Sequence, residues 1–256
     1  YRQSLTNSDL LKTTDLKIYD PILYNSVKKS RSYRPTLFDF LAFRALDFFG
    51  GQEPQIVKPV ETFYLNNPDF LSDASIFIKL NITTTDSLAV KYDAIKWYQS
   101  LIEFHIKDVN PTALIDADLS RLKFVLNNGV FENKDSLYLV ALEALYKKYE
   151  NQEVSAEIGF ELAEYYFARS KKYNSFYTPE YQFDNNLAMK IINEVVLKYP
   201  NSDAANNCKW LKYQIEYPEL SINVEEVNLP NKPFRANINY KNTNQITLRI
   251  VRISND

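Results

Sequence analysis

The sequence predicts a mainly α-helical chain of stacked helical hairpins that closes on a short β element. Two observations carry this. Apolar residues recur at helical spacing in segment after segment up to about Pro218, and beyond it the hydrophobic period drops to two. Proline and polar turn residues punctuate the helical segments at short intervals, as a series of antiparallel helices requires. The expected organisation is a helical-repeat domain over residues 1–218 and a β element over residues 219–256.

The elements follow in order. The first stretch, to about Phe49, reads as helix. In "RPTLFDFLAFRALDFF", Leu37, Leu41 and Phe48 share one stripe, widened by Phe38, Ala45 and Phe49. Arg34 and Pro35 stand at its start, where proline costs no helical hydrogen bond. "FGGQEPQIVKPVETFYLNNP" is a break, with a short extended piece at Thr62 to Leu65, and a short helix is expected around Asp69 to Lys79. The next helix has Thr85 or Asp86 as cap and a face of Leu88, Tyr92, Ile95, Tyr98, Leu101 and Ile102. Asn110 as cap with Pro111 in the first turn opens another. "KDSLYLVALEALYKKY" and "SAEIGFELAEYYFARSKKY" follow, then the loop "NSFYTPEYQFD", then "NNLAMKIINEVVLKYP" and "SDAANNCKWLKYQIEYP".

Two of these segments show a repeat. Ala188, Ile192, Val195 and Pro200 lie at relative positions 0, 4, 7 and 12, the pattern of the second helix of a tetratricopeptide-like hairpin. A small residue admits the paired helix, a bulky one fills the groove, and proline ends the helix. Leu162, Ala163 and Tyr166 fit the matching first helix, so the expected architecture is a right-handed tetratricopeptide-like α-α superhelix, irregular because the loop after Tyr166 is long.

After Pro218 the chain reads as three short strands. Ile222 and Val224 begin the first, with a break or bulge at Glu225–Glu226. In the second, Phe234, Ala236, Ile238 and Tyr240 alternate with polar residues. In the third, Ile246, Leu248 and Ile250 alternate with Thr247, Arg249 and Val251. Each strand has an apolar face that needs cover, and three strands alone make a marginal sheet.

Composition removes several classes of function. The net charge of −2, from 30 basic and 32 acidic residues, argues against nucleic acid or an anionic membrane as main partner. No apolar run approaches the roughly 20 residues of a membrane span. With only 4 glycines there is no phosphate loop and no dinucleotide fingerprint, and no cofactor is expected. Hydrophobic residues at 45% supply a real core, and the 19 tyrosines and 16 phenylalanines read mainly as inter-helix filler. Cys208 is alone, so no internal disulfide forms. The chain begins at Tyr1, which reads as a processed product whose export signal or lipid anchor has been removed.

"RPTLFDFLAFRALDFF", "TDSLAVKYDAIKWYQSLIEFHIKD" and "YPNSDAANNCKWLKYQIEYPELSINVEEVNLPNKPFRANINYKN" together resemble the N-terminal region of the large bacterial alpha-2-macroglobulin-like proteins. The resemblance implies an exported protein of the periplasm or outer-membrane envelope. It implies that the helices precede a row of macroglobulin-type β-sandwich domains, and that the strands after Leu220 begin the first of them. Members of that family trap proteases by collapsing around them, and many attach them through a Cys–Gln thioester. Cys208, in "NNCKW", lacks the Glu-Gln partner of that motif and is not the reactive cysteine.

Candidate sites are few. His105 is the only histidine, and a lone histidine builds no multi-histidine metal site. Cys208 and His105 as nucleophile and base compete with the reading of Cys208 as a small buried hydrophobe. Asp116 and Asp118 are two apart on a helix and diverge, which assigns them to the helix dipole rather than to acid–base work. No catalytic and no metal-binding residue is assigned. The binding candidates are Tyr177, Tyr181 and Phe183 in the loop from Asn174 to Asp184. The expected function is a non-enzymatic scaffold or docking region for macroglobulin domains of the same chain, with proteases or envelope proteins as partners. The alternative is a helical-repeat module binding protein or glycan, and an enzyme ranks third.

Overall fold

The computed structural model describes residues 1–23, 29–51, 61–86, 88–225, 227–229, 232–249 and 251. Residues 52–60 of the expected break, Glu226 of the expected bulge, and Ile250 lie outside them. The fold is mainly helical and ends on a small antiparallel sheet. Contacts divide it into two compact units, Tyr1–Leu162 and Ala163–Asp256.

The first unit contains α1 (Ser8–Thr13), α2 (Ser30–Tyr33), α3 (Leu37–Gly50), α4 (Ala74–Phe77), α5 (Val90–His105), α6 (Thr112–Asn128) and α7 (Lys134–Lys148). Helix α3 packs on α5, α5 on α6 and α6 on α7. A capping box starts α3: Asp39 N donates to Thr36 Oγ1, and Thr36 N donates to Asp39 Oδ2 at 2.8 Å. Its buried stripe is Phe38, Ala42, Ala45 and Phe49, with Phe43 and Leu46 beside it. That corrects the expected stripe, since Leu37 and Leu41 are only half-buried and Phe48 is exposed. Helix α3 is apolar nearly all round, so spacing alone left its rotation open.

In α5 the expected Ile95, Tyr98, Leu101 and Ile102 are buried, joined by Ala94, Gln99 and His105. Leu88 is exposed, because the helix begins only at Val90. Asp86 accepts from Leu88 N at 2.9 Å in a turn that precedes the helix rather than capping it. Asn110 does tie the start of α6, accepting from Thr112 N at 3.1 Å. Residue Gly129 ends α6 with its amide 2.7 Å from Val125 O and bridges to Leu65. A Cβ there would meet that same oxygen at 2.7 Å, so the close approach demands glycine.

Helix α8 (Ser155–Ser170) carries the division between the units. The second unit holds its end, α9 (Asp184–Lys198), α10 (Asp203–Glu216), β1 (Glu219–Val224) and β2 (Ala236–Lys241). Helices α9 and α10 pack together. Ala188, Ile192 and Val195 of α9 are buried, as are Ala204, Ala205, Cys208, Leu211 and Ile215 of α10. Ser202 caps α10 by accepting from Ala205 N at 3.0 Å.

Strands β1 and β2 pair antiparallel; where a third strand was expected, the described residues 242–249 form none. Asn242, in the left-handed region at φ 52°, turns the chain away after β2. Its amide donates to Ile215 O at 2.7 Å, and Lys241 Nζ donates to Gln214 O at 3.0 Å. The hairpin's end thus satisfies carbonyls that the last turn of α10 leaves open.

Candidate functional site

The second unit exposes apolar side chains in two arrangements fixed by backbone geometry. The first is the hairpin. Register pairs Leu220 with Tyr240, Ile222 with Ile238 and Val224 with Ala236. Directly opposed residues share a face, so all six lie on one side. The pairs between them, Glu219 with Lys241, Ser221 with Asn239 and Asn223 with Asn237, make the other side wholly polar. Leu220, Ile222, Val224 and Tyr240 are nonetheless exposed, and Ile238 is half-buried. Burying a large apolar side chain is worth about 1.5–3 kcal/mol, so the uncovered face forgoes several such contributions.

The second is the loop between α8 and α9. Asn174 Oδ1 accepts from Phe176 N at 2.9 Å and Tyr177 N at 3.1 Å. Thr178 Oγ1 accepts from Asn174 N at 2.8 Å and donates to Lys172 O at 2.7 Å. This Asx turn holds Phe176 and Tyr177 outward, 88% and 85% exposed. Phe183 is 60% exposed. Tyr181 differs: it is half-buried beneath the Arg169 guanidinium, whose carbon lies 4.9 Å from the ring centroid. Arg169 in turn holds the buried Asp184 with two hydrogen bonds, at 2.6 and 2.8 Å, locking the end of the loop to the start of α9. Of the three expected binding residues, Tyr177 and Phe183 therefore face solvent and Tyr181 serves mainly as a loop anchor. Phe176 was not singled out from sequence, although the "NSFYT" Asx-turn chemistry beside Tyr177 signals it. Trp210 and Tyr213 on α10, and Tyr217 just after it, are also exposed, on the side opposite the buried face.

The remaining candidates are engaged within the fold. His105 ends α5 with Nε2 2.7 Å from Asp39 Oδ1 and Nδ1 2.7 Å from Asp108 Oδ2. Burial alone would push this imidazole down; the Asp39 and Asp108 carboxylates more than offset it and raise its pKa. The result is an enclosed histidine clamp between the start of α3 and the end of α5. Asp118 is buried against Arg121, whose guanidinium also donates to Phe70 O at 2.6 Å and Ser72 O at 2.9 Å. This corrects the helix-dipole assignment for Asp118, and Asp116 pairs with Arg34 at 3.1 Å. Cys208 is fully buried.

No helix among the described residues is long and apolar enough to cross a membrane. No family model, curated protein or solved structure matches the chain.

Proposed function

We propose that this chain is the non-enzymatic N-terminal helical region of an exported alpha-2-macroglobulin-like protease trap of the cell envelope, and that it positions the macroglobulin domains that follow. In this reading β1 and β2 are the opening strands of a macroglobulin-type β-sandwich, and the helices form an irregular tetratricopeptide-like stack. The observation that carries it is the hairpin: six apolar residues in strict register on one face, with that face open to solvent. A sheet patterned so cleanly for a core is designed for a facing layer. The burial of Ala188, Ile192 and Val195 at the small, bulky and medium positions supports the repeat reading. The test compares this chain with a chain extended by the next stretch of its coding sequence. Hydrogen exchange at Leu220–Val224 and Ala236–Tyr240 is expected to slow markedly in the longer chain. A reading frame that stops shortly after Asp256, or unchanged exchange in the extension, overturns the assignment.

A second reading rests on the loop. Phe176 and Tyr177, held out by a hydrogen-bonded turn, suit a helical module that stacks on a glycan or docks on a protein. Binding to a sugar panel, lost on F176A/Y177A, would favour it.

A further inference from the structure

The first unit holds a polar cleft that neither reading uses. It has a volume of 670 Å³ and lies where α3, α5 and α6 meet. Its walls carry Asp47 from α3, Lys91 and Tyr98 from α5, and Ser120, Asn127 and Asn128 from α6. That volume is within the roughly 300–1,000 Å³ of small-molecule sites.

The cleft is open, with Asp47 and Asn127 exposed and Lys91 half-buried. Asp47 and Lys91 line the same space, yet they form no ion pair with each other. Among the described residues neither has any other hydrogen-bond or ion-pair partner, and Asn127 has none either. Other charged side chains of this unit are paired, such as Arg34 with Asp116 and Lys148 with Asp73. The three helices thus bring one acidic and one basic side chain to the same cleft without pairing them. The same cleft is lined by a hydroxyl pair, Tyr98 Oη and Ser120 Oγ, 3.0 Å apart. The phenol keeps its proton, since burial pushes it up to about 12 with the charges of Asp47 and Asp116 adding. Asn128 uses its amide nitrogen on Phe124 O at 2.9 Å, which leaves its carbonyl oxygen for an incoming donor.

We infer that this cleft binds a dipolar amino-carboxylate, a free amino acid or short peptide, with its ammonium on Asp47 and its carboxylate on Lys91. The carboxamides of Asn127 and Asn128 and the hydroxyl pair are left to hydrogen-bond the ligand's backbone. A neutral polyol would satisfy the amides and hydroxyls but would bridge no charges; a ligand with one charge would use half of the site. Charge-assisted hydrogen bonds are the stronger kind, so both ends contribute to affinity and to discrimination.

The experiment is calorimetric titration of the folded chain with pooled free amino acids and with glycylglycine, each to about 10 mM, well above a millimolar Kd. N-acetylglycine, glycinamide and maltose serve as comparisons. Zwitterions are expected to bind, and removal of either ligand charge to weaken binding about tenfold or more. D47N is expected to abolish the preference for the free amine over the N-acetyl form, and K91M the preference for the free carboxylate over the amide. Both substitutions touch unpaired side chains, so circular dichroism and the unfolding midpoint should match the parent. Absence of zwitterion binding by the folded chain overturns the inference. So does maltose binding as tightly as any zwitterion, or zwitterion affinity unchanged in D47N and K91M.

Discussion

Replacing His105 with alanine tests the clamp that ties α3 to α5. The two hydrogen bonds it removes are unequal. The Asp108 side chain is 41% exposed, and such a pair contributes about 0–1 kcal/mol. The Asp39 side chain is 1% exposed, and H105A leaves its carboxylate buried with only Thr36 as partner. Removing one partner of a buried pair costs about 3–5 kcal/mol. The expected loss is therefore about 4 kcal/mol, a large share of the roughly 5–15 kcal/mol that holds a domain together. D108N should cost under about 1 kcal/mol. Urea unfolding is the assay. Trp97 lies against Phe38 at a 6.3 Å centroid distance and reports on this region, while W210F silences the second of the 2 tryptophans. The pH arm has a definite sign. The native His105 pKa is raised above its ordinary 6.5, so its stabilisation is complete below pH 6.5 and fades as pH rises through the native value. In that window the parent should lose up to about 1.4 kcal/mol per pH unit, and H105A should not. A cost below about 1 kcal/mol, or the same pH slope in both proteins, would refute the buried His105 clamp.

Further outcomes follow from other residues. R121M should destabilise by about 3–5 kcal/mol, since it strands the buried Asp118 and frees two carbonyls; D118L/R121M should cost less, as measured by urea midpoint. Burial would raise the Asp73 carboxyl, but hydrogen bonds from Ser75 and the Lys148 charge outweigh it and bring it down to about 2. Its contribution is present above pH 3.8 and is lost as pH falls toward 2, so D73A should lose the part of the parent's acid sensitivity that falls in that range. F176A/Y177A should move stability by less than about 0.5 kcal/mol, because neither ring is buried; a larger loss in thermal unfolding would mean that they pack on the fold. Cys208 should resist a thiol reagent in the native protein and react on unfolding; fast native labelling would contradict its burial.

The helices were legible because their signal is local. Helices form over the segments whose apolar residues recur at helical spacing, and Ala188, Ile192 and Val195 lie on the buried face of α9; Asn110 ties the first turn of α6, although Pro111 and not Asn110 takes the cap position. Failures came where a residue's role depends on something distant. Asp39 looks like an ordinary first-turn acid, yet it meets His105 sixty-six positions away. Asp118 reads as a dipole partner until Arg121 carries it to Phe70 and Ser72. Nor could spacing order the aromatics of the loop, because an Asx turn exposes Phe176 and Tyr177 while Arg169 covers Tyr181.

By itself the sequence determined the helical class, the switch to period two after Pro218, and the apolar pattern of β1 and β2, because periodicity and turn chemistry act between neighbours. Only the tertiary structure decided the rotation of α3, the pairing of His105 and Arg121, the pairing of β1 with β2 as the two strands of the sheet among the described residues, and the cleft that Asp47 and Lys91 share. Each of these depends on which surfaces meet, and burial and charge pairing between distant residues have no period to be read along the chain.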